Sequence, residues 1–267
     1  MAVVNTNVNA AIAQNALVRN ERSMNTAMER LSTGQRINSA SDDAAGLAIG
    51  SRMTSQIRGL ETGIRNANDA ISMVATADGA LVEVGNMLQR MRELALQSAN
   101  GTTTSADRNY LSSEYANLLS EIDRIAENTQ WNGTTILNHI TTASSTFNYQ
   151  VGANGGQTIG VDFGNMTNSV SGVFTALATG SHATLVATTT ASALTGGSSA
   201  VGLIDTAITS VNSQRSTFGA AINQLTYAVD NLSNVKVNSE AARSRILDTD
   251  YAQETSELAR TQIIQQA

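Results

Sequence analysis

Few residues in this chain are placed to do chemistry. Its two histidines, His139 and His182, have no second histidine or carboxylate at ligand spacing, and the H-E-x-x-H arrangement of a zinc protease is absent. No G-x-x-x-x-G-K-[ST] phosphate loop occurs, and the single lysine, Lys236, falls in a helical pattern. G-x-S-x-G is missing too, so a Ser–His–acid triad has no support. With no cysteine, disulfides, thiol catalysis and Cys-based metal sites are excluded together. The adjacent Asp42 and Asp43 could hold a metal or act as an acid–base pair. They stand immediately before the apolar run Ala44 to Ile49, where acids cap a helix and complement its dipole, and we read them so. Asn100-Gly101-Thr102, Asn132-Gly133-Thr134, Asn165-Met166-Thr167 and Asn231-Leu232-Ser233 fit the glycosylation pattern, a match too short to carry weight. The residues support no enzyme, no metal and no cofactor.

The bulk composition narrows the class further. A net charge of −6 and a pI near 4.9 argue against a nucleic-acid partner, which needs a basic face. Fifteen of the sixteen basic residues are arginine, whose planar fork suits fixed contacts between surfaces. Aromatics make up only 4% of the chain, and there is no proline to interrupt long helices. The N-terminus has no basic region followed by an apolar run, so no secretory signal peptide is expected. No apolar stretch approaches the roughly 20 residues that span a bilayer, so no membrane insertion is expected.

The elements that must organise such a chain are helices. Ile57, Leu60, Ile64, Ala67, Ile71 and Val74 alternate steps of three and four. After Asp78-Gly79 the stripe resumes at Leu81, Val84, Leu88, Met91 and Ala95, which predicts a seam about forty residues and roughly 60 Å long. Such a stripe needs long partner helices. One is predicted from Ser105, as cap, to Glu127, with Leu111, Tyr115, Leu118, Ile122 and Ile125 as its stripe. Another begins at Val201. Ile204, Val211, Phe218, Leu225, Leu232 and Ile246 share one heptad position, and Val201, Ile208, Ile222 and Val229 the other. Arg215, Lys236 and Arg243 interrupt that second row, so the end past Leu232 is less suited to a dry core. Asn5 to Leu31 is thinly amphipathic, through Val8, Ile12, Leu17, Met24, Met28 and Leu31, and is expected to order only when something packs on it. Gly34 reads as a helix C-cap. A weak C-terminal tail with Ala252, Leu258 and Ile263 mirrors the N-terminal segment.

Between these helices the period changes. Trp131-Asn132-Gly133 reads as a turn, and strands around Asn148–Val151 and Thr158–Val161 flank Gly152 to Gly156 as a β-hairpin. The Thr/Ser/Gly/Ala-rich stretch that follows is a surface insertion, with a loose loop as the competing reading; Val173, Phe174, Leu177, Leu185 and Val186 are its possible anchors. The expected fold class is mainly α. Long antiparallel helices form a coiled-coil-like bundle from the N- and C-terminal halves, with a β-hairpin and a small inserted surface segment.

Several motifs carry a family resemblance. Leu31-Ser32-Thr33-Gly34-Gln35-Arg36-Ile37-Asn38 through Ile49 resembles the N-terminal signature of bacterial flagellin. So do Gln89 to Gly101 and Glu121-Ile122-Asp123-Arg124-Ile125; Trp131-Asn132-Gly133 matches the family's turn, with Trp where Phe is more usual. Ser244-Arg245-Ile246, Asp248 to Ala252 and Gln262 to Ala267 are similar to the C-terminal signature. The resemblance implies a structural subunit that polymerises into the flagellar filament, a secreted, extracellular protein for motility. It implies residues 1–43 and 246–267 as terminal inner-core helices. Residues 44–163 and 200–245 would be the outer-core bundle, with its β-hairpin at about 146–163, and 164–199 a short variable insertion open to O-glycosylation. The implied partners are other copies of itself, the flagellar type III export apparatus, an export chaperone, the filament cap and hook-associated proteins. Gln89, Arg90, Glu93, Leu94 and Glu114 match positions that resemble the family's recognition site for a host Toll-like receptor; contacts between neighbouring subunits are the other reading of these residues. Flagellins continue past such a Gln-Gln-Ala into an apolar ending, so the C-terminus is expected to be truncated.

Two other readings share features. A hook–filament junction protein has the same terminal signatures. A chemoreceptor-like signalling hairpin has long antiparallel heptads, but it needs a membrane anchor or an unbroken hairpin tip.

Overall fold

The computed structural model describes residues 7–138, 146–166 and 190–266, with the backbone alone for 190–199. Five helices and four short strands are present among them: α1 (Val8–Thr33), α2 (Ala44–Ser98), α3 (Ser105–Asn128), β1 (Gln130–Trp131), β2 (Thr134–Thr135), β3 (Thr146–Gln150), β4 (Thr158–Asp162), α4 (Thr190–Leu247) and α5 (Tyr251–Gln266). They form two compact units. Unit one is Met1–Glu61 with Ser233–Ala267, and unit two is Thr62–Leu232.

In unit two the core is a row along α2, met by α3 on one side and α4 on the other. Val74, Ala77, Leu81, Val84, Leu88, Met91 and Ala95 are all within 1% of fully buried. The expected break at Asp78-Gly79 does not exist. Ala77 fills the seven-residue gap in unbroken steps of three and four, and Asp78 faces Arg215 of α4, Nε to Oδ1 2.8 Å. The charge that interrupts the α4 heptad is thus answered by the acid that seemed to interrupt α2. From α3 the buried positions are Arg108, Ser112, Tyr115, Leu119, Ile122 and Ala126, so the packed face is turned slightly from the expected stripe. Leu111, Leu118 and Ile125 flank it, half-buried. From α4 come Ile204, Val211, Phe218 and Leu225, as the heptad predicts, and no position beyond Leu225 is fully buried. Each such large side chain withdrawn from water contributes roughly 1.5–3 kcal/mol.

The N-terminus of α3 is one residue earlier than expected. Thr104, not Ser105, is the cap, in a capping box with Asp107. The C-terminus of α2 is closed by Arg108, which is buried and donates Nε to the Ser98 carbonyl at 3.1 Å and Nη2 to that of Asn100 at 3.4 Å. A guanidinium there meets both the unpaired carbonyls and the negative end of the helix dipole.

Trp131-Asn132-Gly133 is more than a turn. β1 and β2 pair antiparallel around it, with Asn132 at φ 49° and Gly133 at φ 78°, the positive values a two-residue hairpin demands. β3 and β4 pair from Thr146↔Asp162 to Gln150↔Thr158, within the expected hairpin. The hairpin lies on α2: Asn66 Nδ2 donates to the Gln150 carbonyl at 2.9 Å, and the Tyr149 hydroxyl donates to Met73 Sδ. Burial pushes the Tyr149 pKa up to about 12. Three of the four phenylalanines meet where the hairpin leaves for α4. Phe163 stacks edge-on to Phe147 at 5.3 Å and tilted on Phe218 at 5.2 Å.

The helix expected from Val201 begins at Thr190, ten residues inside the stretch assigned to the insertion. The possible anchors Val173, Phe174, Leu177, Leu185 and Val186, and both histidines, lie outside the described residues.

In unit one, α2 and α4 continue side by side, with Lys236 Nζ 3.4 Å from Glu61 Oε1 and Leu247 packed where Gly50 leaves room. The links 34–43 and 248–250 clasp one another. Arg36 N donates to the Leu247 carbonyl at 2.6 Å, and Thr249 N to that of Gly34 at 3.1 Å. Gly34 is the left-handed C-cap of α1, φ 72°. Asp42 accepts from the backbone N–H of Ser39 and Asn38, and Asp43 from that of Gly46. Asp43 is therefore the cap of α2, as the sequence predicts, whereas Asp42 is not a helix cap: it closes the preceding turn through Asn38 and Ser39.

Candidate functional site

Two surfaces could meet other molecules, one in each unit. In unit two, α2 presents Gln89, Arg90 and Glu93 to solvent, and α3 brings Glu114 beside them. Arg90 is the hub. Its Nη1 lies 3.0 Å from Glu93 Oε2 and its Nη2 2.8 Å from Glu114 Oε1. The hydrogen bond to Glu114, then that to Glu93, holds the Arg90 pKa above its ordinary value. Exposed pairs of this kind contribute about 0–1 kcal/mol each, so the network fixes side-chain positions more than it stabilises the fold. Nearby, Arg92 Nε makes a 2.7 Å pair with Asp205 Oδ1 of α4, which raises the Arg92 pKa.

The other two candidates do not join this cluster. Gln89 lines a shallow cleft of about 180 Å³ between α2 and α4, with Val82, Asn86, Ile208 and Arg215. Leu94 is 1% exposed and belongs to the core. The expectation that Leu94 shares the outer face with Arg90 and Glu93 is corrected: one step of 100° along the helix turns it inward, between Met91 and Ala95.

In unit one, α1 and α5 pack side by side with most of their large apolar residues turned outward; Met24, Leu31 and Leu258 are half-buried. Val8, Ile12, Leu17 and Met28 are half or more exposed on α1, and Ile263 is 67% exposed on α5. The join itself is polar. Asn20 Nδ2 donates to the Thr261 carbonyl at 2.7 Å, and Arg30 Nη1 lies 3.0 Å from Glu254 Oε1, whose side chain is 12% exposed. Only Ala27, Glu254 and Thr261 are buried on these two helices. The sequence predicts the reverse for α5, with Ala252, Leu258 and Ile263 as packing points. Ala252 and Ile263 are exposed and Leu258 is half-buried, because buried donors and acceptors bind α1 instead. Nothing in the local pattern signals this inversion.

Among the described residues no group of three His, Cys, Asp or Glu could hold a metal, and no helix is long and apolar enough to cross a membrane.

Comparison with known proteins gives the family of the chain. Residues 4–142 match the bacterial flagellin N-terminal helical region and 201–267 the bacterial flagellin C-terminal helical region. The chain is 42% identical to a flagellin of Halalkalibacterium halodurans, covering 99% of this chain and 92% of that one. To flagellin A of Vibrio cholerae it is 36% identical, covering 99% and 94%. A crystal structure of Bacillus cereus flagellin matches with TM-score 0.50 at 31% identity, covering 63% of this chain and 88% of that one. The chain therefore belongs to the bacterial flagellins, structural subunits of the flagellar filament and not enzymes.

Proposed function

We propose that α1 and α5 are the assembly surface of this filament subunit. One observation carries the reading: most of the large apolar residues of both helices face solvent, while the bonds that hold the helices to each other are polar. An exposed Ile or Leu forgoes roughly 1.5–3 kcal/mol of burial, which neighbouring copies recover on packing. On this reading residues 1–43 and 246–267 form the inner core and line the filament's central tube. Residues 44–163 and 200–245 make the shell around it; most of 164–199, the expected surface insertion, lies outside the described residues. The chain is secreted through the flagellar type III apparatus, with an export chaperone covering the apolar ends until it polymerises under the cap, next to hook-associated proteins. The test is Ile12→Asp and Ile263→Asp in the full chain. Both variants should keep the melting curve of the wild-type monomer and fail to sediment as filaments; wild-type assembly by both would refute it.

The Arg90–Glu93–Glu114 cluster, with Gln89 beside it, serves on the same reading as a contact between neighbouring subunits and, on free monomer, for a host Toll-like receptor. Leu94 supports it from within the core. Arg90→Ala monomer should lose most of its signal on receptor reporter cells, and undiminished signalling would exclude the receptor role.

A further inference from the structure

Within unit one, α1 and α5 flank an open, mainly polar pocket of about 290 Å³ lined by Arg22, Ser23, Thr26, Arg30, Glu254 and Glu257, with Ala27 among them. Its two acids are already matched. Glu254 Oε1 takes Arg30 Nη1 at 3.0 Å, and Glu257 Oε2 takes Arg260 Nη1 at 3.2 Å. Arg22 has no acidic partner among the described residues, and the buried Arg30 Nε has no acceptor. The pocket thus holds one arginine more than its acids answer, and N–H donors that the subunit leaves unused.

We propose that this pocket is a carboxylate site, filled on assembly by an acidic side chain of a second copy of this chain. The inference rests on the reading of α1 and α5 as the assembly surface. A guanidinium fork matches a carboxylate in shape and charge, and the Ser23 hydroxyl adds a donor. The occupant follows from charge: the chain carries 22 acids against 16 basic residues, and Glu21 and Glu29 stand exposed on α1 itself, without an ion pair among the described residues. Each copy therefore offers the group that the next copy lacks. A free oxyanion such as phosphate has the same chemistry, and the experiment separates the two sources.

The full-length variants Arg22→Gln and Arg22→Glu are compared with Arg52→Gln, which changes an exposed arginine of α2 outside the pocket and outside α1 and α5. The critical concentration for assembly at low salt should rise roughly tenfold for Arg22→Glu, less for Arg22→Gln and little for Arg52→Gln, with monomer melting unchanged. Unchanged assembly by Arg22→Glu, or an equal effect of Arg52→Gln, overturns the proposal. Calorimetric titration of monomer with inorganic phosphate is the second arm. Phosphate binding that Arg22→Gln abolishes while assembly stays wild-type assigns the pocket to a free anion and overturns the carboxylate of a second copy. If the wild-type chain fails to assemble at all, the filament surface falls, and this occupant with it. Wild-type assembly alongside an indifferent Arg22→Glu removes the pocket alone.

Discussion

The same substitution at two glycines of α2 should have opposite effects. Gly79 is exposed, and a Cβ built on it meets nothing within 4 Å. Alanine there gains only helix propensity, about 0.5–1 kcal/mol. Gly63 is buried beneath the β3–β4 turn, where a Cβ would lie 2.6 Å from the Val151 carbonyl oxygen and 2.9 Å from its carbon. These are backbone atoms and cannot rotate aside. Reaching the ordinary 3.4 Å contact moves the hairpin by the difference from 2.6 Å, which stretches the Asn66 bond to Gln150. Overpacking costs about 1–3 kcal/mol and the weakened hydrogen bond about 1, against the same propensity gain. The net is a loss of about 1–3 kcal/mol. Trp131 is the only tryptophan and belongs to unit two, so its fluorescence in urea reports this unit alone. With m about 2 kcal/mol/M, the midpoint should fall by about 1 M for Gly63→Ala and rise by about 0.3–0.5 M for Gly79→Ala. A Gly63→Ala midpoint that rises as far as that of Gly79→Ala would show that the hairpin does not rest on α2.

Two further perturbations test the same account. Phe163→Ala removes the ring between Phe147 and Phe218 and should cost about 3–5 kcal/mol in the Trp131 urea assay, with Phe163→Leu costing less than half; a loss under about 1 kcal/mol for alanine would remove the cluster from the core. Acid should weaken the subunit. Asp42, bound by the backbone of Ser39 and Asn38, Asp107, bound by Thr104, and Glu121, bound by Arg124, all have pKa values below the ordinary 3.8 or 4.5. Groups depressed on folding stabilise fully above their unfolded pKa and lose that contribution as pH falls through the folded value, so helix content should become less stable to heat below about pH 4. Asp107→Ala should flatten this acid limb, seen by circular dichroism, and an unaltered limb would exclude the cap.

The bundle was legible because its partners share a period. Leu81 to Ala95 and Ile204 to Leu225 repeat in threes and fours, and burial follows that rhythm residue by residue. The apparent break in α2 came from passing over Ala77, too small to mark a stripe yet fully buried. The start of α4 was hidden because Thr, Ser and Gly are weak helix formers, and apolar spacing resumes only at Ala200 and Val201. Turn chemistry was readable at Gly34, Asp43 and Asn132-Gly133, where local geometry alone decides. Tertiary choices were not. Arg108 closing α2 and the polar join of α1 to α5 depend on neighbours beyond their own helices. The family resemblance singled out the residues of the candidate surface, and the fold separates Arg90, Glu93 and Glu114 from Leu94.

Electron microscopy of the purified full chain at rising concentration tests the central claim most directly, with Ile12→Asp beside it. The account predicts smooth filaments with a central channel for the wild type and dispersed monomers for the variant. Wild-type protein that stays monomeric under all conditions, or filaments formed equally by Ile12→Asp, would contradict it.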